Sequence, residues 1–438
     1  MGVWLMNLRK FIFLMLDRGK YSVKDQLDEI KLANIDDEFA KKLHNSCVNN
    51  LVKYVKENVP FYMNINANTF EEFPVVNKVM MKEDMSLFRS RGDITISKIR
   101  HTSGSTGIPF EIMQDSRKAK RIQAEVIYYR EITGDELGNK FINLISPSRL
   151  EVHSKLSSFK QNVLNFDVTN MDEQTLQKLY KLLNKKNNVS YMLGYTSALE
   201  KIADFIETNN LKTNFSLKAI VGSSEVMTDQ VMQRLSKIFK CRVYDRYSNE
   251  DNGFIAQTDG INHDFYVNRG SYYIEILKLD KDVLAEENEI GRIVITDYYN
   301  YSQPFLRYDT GDLGSYSYRF VNGTKRYVLT KLAGRMSDIV YGNNNQPIST
   351  FAIGCAFETF SKIKQYQLIQ EDKNSFIINI IDPNRYYDND EYVQVLKELV
   401  GNNINVKINY KDTIPTLNSG KFKRVICNYS PNSNLEGE

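Results

Sequence analysis

Residues 191–247 read YMLGYTSALEKIADFIETNNLKTNFSLKAIVGSSEVMTDQVMQRLSKIFKCRVYDRY, and their alternation decides the fold. Tyr191 to Tyr195 is a short apolar run with strand character. Ser197 to Glu207 carries apolar residues at helical spacing. Leu217 to Gly222 reads as a second strand, Thr228 to Phe239 as a second helix and Arg242 to Tyr247 as a third strand. Strands that alternate with helices in this way form a parallel sheet with right-handed crossovers, its faces covered by the helices. Ligands of such sheets bind beyond the C-terminal ends of the strands. Gly222 and the segment after Tyr247 both lie at such ends.

Outward from this core the pattern changes twice. From about Phe265 to Thr296 shorter strands follow, the clearest being Tyr272 to Leu277 and Gly291 to Thr296. Beyond Gly334 the segments Gln365 to Gln370, Phe376 to Ile381 and Ile404 to Tyr410 read as strands and Glu391 to Val400 as a helix, enough for a small α+β unit. Upstream, Phe39, Leu43, Cys47, Leu51 and Val55 mark one apolar stripe on a helix from Asp36 to Val59, opened by acidic residues and closed by Pro60. The expected class is α/β: a large N-terminal domain, 1–333, with parallel helix-covered sheets, and a small mobile α+β C-terminal domain, 334–438. Asn343 to Pro347 and Asn428 to Glu438 are polar and expected to be mobile. No internal repeat is visible.

Composition narrows the function. The chain has 438 residues, of which 42% are hydrophobic and 25% charged, as in a globular protein. Its 57 basic and 54 acidic residues leave a net charge of +3, too balanced for a nucleic-acid partner. Cys47, Cys241, Cys355 and Cys427 are far apart in sequence, which reads as four reduced thiols in a cytoplasmic protein and not as a zinc or redox pair. No stretch approaches the ~20 apolar residues of a transmembrane segment. The apolar Phe11 to Leu16 is expected to pack as an amphipathic N-terminal helix.

One loop upstream and three later segments carry chemistry. Thr102-Ser103-Gly104-Ser105-Thr106-Gly107 offers backbone N–H groups and hydroxyls on a tight loop suited to phosphate oxygens. It lacks the lysine of a GxxxxGK[ST] loop. Asp312, in Arg307-Tyr308-Asp309-Thr310-Gly311-Asp312, has a carboxylate suited to a ribose diol. Gly334-Arg335 and Ser419-Gly420-Lys421 follow. Each alone is compatible with a plain turn or a solvated surface. Their conjunction in this order is not expected by chance, and it describes the splitting of ATP at its α-phosphate.

With these motifs in place, nearly the whole chain resembles the adenylate-forming superfamily, and within it the phenylacetate–CoA ligase and capsule-biosynthesis branch. Thr102 to Pro109 is similar to that family's phosphate loop. Gly222-Ser223-Ser224-Glu225, followed by Met227-Thr228, resembles the segment that lies against adenine. Pro304 to Asp312 resembles the ribose motif, Gly334-Arg335-Met336-Ser337-Asp338 the hinge between domains, and Pro415 to Arg424 the terminal motif that carries the catalytic lysine, here Lys421. Asn58 to Tyr62 and Phe73 to Val76 resemble the branch's N-terminal signature.

The resemblance implies two steps. A small-molecule carboxylate attacks the α-phosphate of ATP and expels pyrophosphate. The small domain then turns, and coenzyme A or another acceptor, such as a sugar amine or hydroxyl, takes the acyl group. A homodimer is compatible with this reading. Mg²⁺ is implied, and here the chain departs from the family. Where the family has Tyr-Gly-x-Thr-Glu, this sequence has Tyr247-Ser248-Asn249-Glu250-Asp251, so Asp251 is the metal ligand by position and Glu250 the alternative. Ser337 stands where an acidic hinge residue often follows Gly-Arg-x. Tyr195 is expected on the acyl side. A nucleotide-binding protein without catalysis is a third reading, opposed by the retention of Lys421, Asp312 and Arg335.

Overall fold

The computed structural model describes the chain except residues 1–8, 14, 18, 20, 103–109, 146–157, 160, 186–188, 322, 336–337, 417–421, 430 and 432–438, and the side chains of Thr102 and Phe351. Among the described residues a twelve-stranded sheet forms the frame. Five strands run parallel. They are Val163–Asp167, Phe141–Ile145, Tyr191–Tyr195, Ala219–Ser223 and Arg242–Asn249, in that spatial order. The helices Glu173–Asn184, Thr196–Thr208 and Asp229–Phe239 cover one face. Leu179, Leu199, Ile202 and Leu235, wholly buried, lock them onto Met192 and Ile220 of the strands. The alternation read from the sequence therefore holds, with boundaries moved by one or two residues.

The sheet does not end there. After Asn249 the chain turns back as Gly253–Thr258, and the sheet continues antiparallel through Phe265–Val267, Thr324–Arg335, Tyr308–Val321, Gly291–Asp297 and Tyr272–Leu277. One distant strand joins it. Val76–Asn77 lies parallel to Tyr308–Asp309, which draws the N-terminal segment in beside the ribose-like motif. The second core there comprises Val59, Tyr62, Phe73 and Val76 against Phe305, Leu306 and Tyr308.

The C-terminal part has its own four-stranded sheet, in the order Asn405–Tyr410, Ser375–Ile381, Gln365–Gln370, Val425–Cys427. Helices Thr350–Phe357 and Asn389–Val400 pack on it around Phe376, Ile378, Tyr392 and Leu396. The class is thus α/β, with a large sheet-rich N-terminal domain and a small C-terminal one. At Gly334, φ is +89°, and a Cβ would come 2.0 Å from Thr350 Oγ1. Only glycine permits both the backbone angle and that approach. The Thr350 hydroxyl also donates to the Ala333 carbonyl at 3.0 Å, so the end of the large sheet and the first helix of the small domain are fastened to each other.

Two expectations need correction. The Phe11–Leu16 stretch is helical where described, as expected, but most of its described apolar residues are not buried. Phe13 packs against the cluster of Val23, Leu27 and Ile127, but Phe11, Ile12, Met15 and Leu16 are exposed, because only one side of so short a segment meets the helices Val23–Ile35 and Ser116–Glu131. The polar stretch Asn343 to Pro347 is not loose. The Asn343 amide donates to Asn374 and to the Asn403 carbonyl, its N–H donates to the Val400 carbonyl, and Pro347–Ile348 pairs with Val340–Tyr341. Backbone groups that side chains satisfy in this way hold a loop in place. No helix among the described residues is long and apolar enough to cross a membrane.

Candidate functional site

The strand Tyr308–Val321 pairs with Thr324–Arg335 so that Asp312 faces Arg335 directly across the ladder. Arg335 Nε lies 3.6 Å from Asp312 Oδ1. From the strand Arg242–Asn249, the last of the parallel five, the Tyr247 hydroxyl reaches over and donates to Asp312 Oδ2 at 2.8 Å. Burial, reinforced by the Asp312 charge, holds the Tyr247 phenol well above its ordinary value, so it stays neutral and remains a donor. Three residues from widely separated motifs thus meet at one carboxylate. Ser248 follows on the same strand, opposite Phe254.

The two candidate metal carboxylates differ in setting. Asp251 is nearly buried and accepts a hydrogen bond from the Tyr308 hydroxyl at 2.8 Å. Glu250 is more open and forms an ion pair with Arg100 Nη1 at 3.1 Å. Among the described residues no group of three or more His, Cys, Asp or Glu surrounds a common point. That donor set suits Mg²⁺, which takes one or two carboxylates and completes its shell with substrate phosphates and water.

Sequence reasoning missed a lysine here. Lys78 Nζ lies 4.0 Å from Asp251 Oδ1 and 5.0 Å from the centre of the Phe110 ring. Burial lowers its affinity for the proton and the Asp251 charge opposes that, with Arg335 and Asp312 also within electrostatic reach. Lys78 therefore ties the Asp251 and Asp312 groups into one cluster. Its only sequence signal is the nearby Phe73 to Val76 segment. The pairing of Val76–Asn77 with Tyr308–Asp309, more than 200 residues away, is what brings it in. Arg100 escaped notice for the same reason.

The phosphate-type loop is bracketed but not described. The strands Ile96–Thr102 and Phe110–Asp115 form a hairpin whose last pair is Thr102 with Phe110. Ser103, Gly104, Ser105, Thr106 and Gly107 lie outside the described residues, as do Lys421 and the hinge residues Met336 and Ser337. Arg100 and Phe110, on the hairpin's two arms, contact Glu250 and Lys78, so the loop's base adjoins the carboxylate cluster.

The adenine-type segment opens at the end of Ala219–Ser223. Gly222 sits against Met227, whose Cε would be 2.1 Å from an added Cβ. Ser224 has φ +68°, a left-handed conformation that costs a non-glycine residue about 1–3 kcal/mol and is found where a site demands it. Glu225 has partners of its own. It binds Ser197 and, from the small domain, the Phe422 N–H. Ser223 pairs with Tyr195 in the sheet. Tyr195 itself is 5% exposed and packs in the main core.

Known proteins share this architecture. Residues 340–428 match the family model described as the CapK C-terminal domain. The chain is 24% identical over 431 residues to Protein CapK of Staphylococcus aureus, spanning 92% of this chain and 93% of that one. Among solved structures, 2-hydroxyisobutyryl-CoA ligase in the postadenylation state, in complex with an acyl-AMP, superimposes with a TM-score of 0.71 at 16% identity, over 92% of this chain and 93% of that one. The same ligase in the thioesterification state gives 0.56 at 16% identity, over 90% and 91%. The amide bond synthetase McbA from Marinactinospora thermotolerans gives 0.55 at 13% identity, over 75% and 67%. The fold is that of the adenylate-forming ligases.

Proposed function

We propose that this protein is an ATP-dependent, AMP-forming carboxylate ligase, with its large domain ending near residue 333 and a small lid domain following from 334. The observation that carries this reading is the Asp312–Tyr247–Arg335 group together with Asp251, Glu250 and Lys78, of which Glu250 and Lys78 touch the arms of the hairpin that bears the Ser/Gly/Thr loop. Asp312 holds the ribose hydroxyls, with the neutral Tyr247 fixing one of its oxygens. The loop N–H groups and Lys78 hold phosphate oxygens, and the backbone of Gly222 to Ser224 lies along the adenine. Asp251 or Glu250 holds Mg²⁺, which when bound neutralises phosphate charge. Lys421 brings a positive charge to the α-phosphate as pentavalent character develops. A lysine on a separate domain suits a charge that arrives for one step and leaves for the next.

Coenzyme A is the first acceptor reading, as in a phenylacetate–CoA ligase-like enzyme. Transfer to a sugar amine or hydroxyl is the second. It is favoured by the match of the small domain to the CapK C-terminal domain, because that domain turns to face the acceptor in the second step. The direct test is carboxylate-dependent exchange of pyrophosphate into ATP across a panel of acids, followed by addition of coenzyme A or of amine and hydroxyl acceptors to the active acid. Absence of exchange with every acid, in protein that binds ATP, would refute the ligase reading.

Two variants test the site itself. Asp312→Ala removes a charged acceptor from the ribose and leaves the Tyr247 hydroxyl with only the longer bond to Thr310 Oγ1, at 3.4 Å. ATP affinity measured by calorimetry should fall by roughly 10- to 100-fold, the equivalent of about 1.5–3 kcal/mol for a hydrogen bond to a charged group. A folded variant with wild-type affinity would remove Asp312 from the site. For the metal, Asp251→Asn should raise the Mg²⁺ concentration needed for half-maximal exchange more than Glu250→Gln does. Glu250 already has a cationic partner in Arg100, whereas Asp251 sits deeper, beside Lys78. The reverse ranking in a magnesium titration would move the ligand to Glu250.

A further inference from the structure

The helix Thr196–Thr208 starts immediately after the strand Tyr191–Tyr195, and the residue at its cap position, Tyr195, is not one of the small polar residues that satisfy a helix N-terminus. A neighbouring loop supplies the missing acceptor. Glu225 Oε2 accepts the Ser197 N–H at 2.7 Å, and its Oε1 accepts the Ser197 hydroxyl at 3.0 Å. The same Oε1 accepts the Phe422 N–H at 2.9 Å, across the domain boundary. One turn along this helix, Glu200 Oε2 accepts from Arg424 Nη2 at 2.7 Å, with both side chains about three-quarters buried. Phe422, itself 8% exposed, directly follows Lys421. Two points of the small domain, one and three residues beyond the lysine, are therefore fixed to the first turns of one helix of the large domain.

We propose that Glu225 and Glu200 are positioning residues that dock the segment 422–424 of the small domain on the large one for the adenylation step. This rests on the ligase reading above. Three features favour a dock over an incidental contact. The bonds are charge-assisted and half-sheltered, the kind that gain most from a low-dielectric seam. Burial in the seam raises the Glu200 carboxyl and the Arg424 charge counters it. The chain also superimposes better on the postadenylation state of 2-hydroxyisobutyryl-CoA ligase than on its thioesterification state, with TM-scores of 0.71 and 0.56. Glu225 has a second consequence. It caps the helix that begins at the Tyr195 strand end, so one carboxylate links the expected acyl side to the lid.

The test uses the full chain with Arg424→Glu, Glu200→Arg, the double charge swap and Glu225→Gln. Each single variant should slow the maximal rate of pyrophosphate exchange by roughly tenfold or more, as expected for loss of a charge-assisted bond at a seam. In the Arg424 and Glu200 variants the KM for ATP should stay within about twofold, because neither residue belongs to a nucleotide-binding segment. The swap should recover most of the rate. Acyl transfer from a supplied acyl-adenylate should be unaffected. Unchanged exchange in folded single variants, a swap no better than the singles, or a KM for ATP that rises in step with the loss of rate would each overturn the proposal. Hydrogen–deuterium exchange separates this from failure of the ligase reading. Even if the wild type activates no acid on the panel, amide protection at Phe422 should fall in Arg424→Glu and return in the swap. Equal protection in all variants overturns the dock.

Discussion

Replacing Lys421 by alanine will abolish carboxylate-dependent pyrophosphate exchange and leave acyl transfer from a supplied acyl-adenylate intact. The lysine's charge is needed where the five-coordinate α-phosphate forms. Removing such a charge from a sheltered site costs several kcal/mol of barrier, on the order of 10²–10³-fold in rate or more. Just beyond the lysine in sequence, Phe422 and Arg424 are fastened to Glu225 and Glu200 of the large domain. The choice of control matters. Lys423 stands two residues beyond the lysine, but its Nζ pairs with Asp338 Oδ1 at 2.8 Å, beside the hinge, and Arg424 pairs with Glu200. Lys423→Ala should therefore disturb the hinge and is no neutral comparison. Lys407, exposed on the strand Asn405–Tyr410, is the proper one, and Lys407→Ala should match wild type in both half-reactions. Normal exchange in Lys421→Ala, or equal loss of both half-reactions in folded protein, would rule out a lysine that serves one step alone.

What the sequence made legible was local. The alternation from Tyr191 to Tyr247 has clean periods and short connections, so each strand and helix announced itself, and right-handed crossover fixed their arrangement. The ribose-type motif was legible because Asp312 and Arg335 lie on neighbouring arms of one hairpin. What escaped was non-local. The antiparallel half of the sheet joins the parallel half through Gly253–Thr258, whose pattern does not say which neighbour it chooses. Lys78 reaches the site only through a two-residue strand that pairs with Tyr308–Asp309. Exposed charge and paired charge look alike in one dimension, which is why Lys423, Arg424 and Glu225 took on roles that only the domain seam reveals. Tyr195 shows the same limit, since a strand-end aromatic can face a ligand or the core, and the sequence does not say that it belongs to the main apolar cluster.

Arg307 shows how far the ribose-type motif is scaffold and not ligand contact, and its loss should be the most destabilising single change near the site. Its guanidinium is 5% exposed and grips Glu275 with two bonds, Nε to Oε2 at 3.2 Å and Nη2 to Oε1 at 3.0 Å. Nη1 donates to the carbonyls of Glu71 and Phe73, at 2.5 and 2.8 Å. The residue thus anchors the N-terminal segment just ahead of Val76–Asn77, the strand that carries Lys78 to the cluster. Burial raises the Glu275 carboxyl and Arg307 opposes it, so without the arginine a buried acid loses its counter-charge and two carbonyls lose their donor. Arg307→Ala should lower the unfolding free energy of the large domain by about 3–5 kcal/mol, the usual penalty for breaking a buried pair from one side. The backbone adds to the cost of any ordinary side chain here, because φ at Arg307 is +47°, so Arg307→Gly should be somewhat less harmful than alanine. Removing both charges tells the two roles apart. Arg307→Met with Glu275→Leu should regain most of the stability in urea denaturation, since a packed apolar pair is often as stable as a buried ion pair. It should nevertheless bind ATP less well than wild type, because Glu71 and Phe73 remain untied and Lys78 is no longer held against Asp251. A double variant that recovered both stability and full ATP affinity would show that the anchor does not position the lysine.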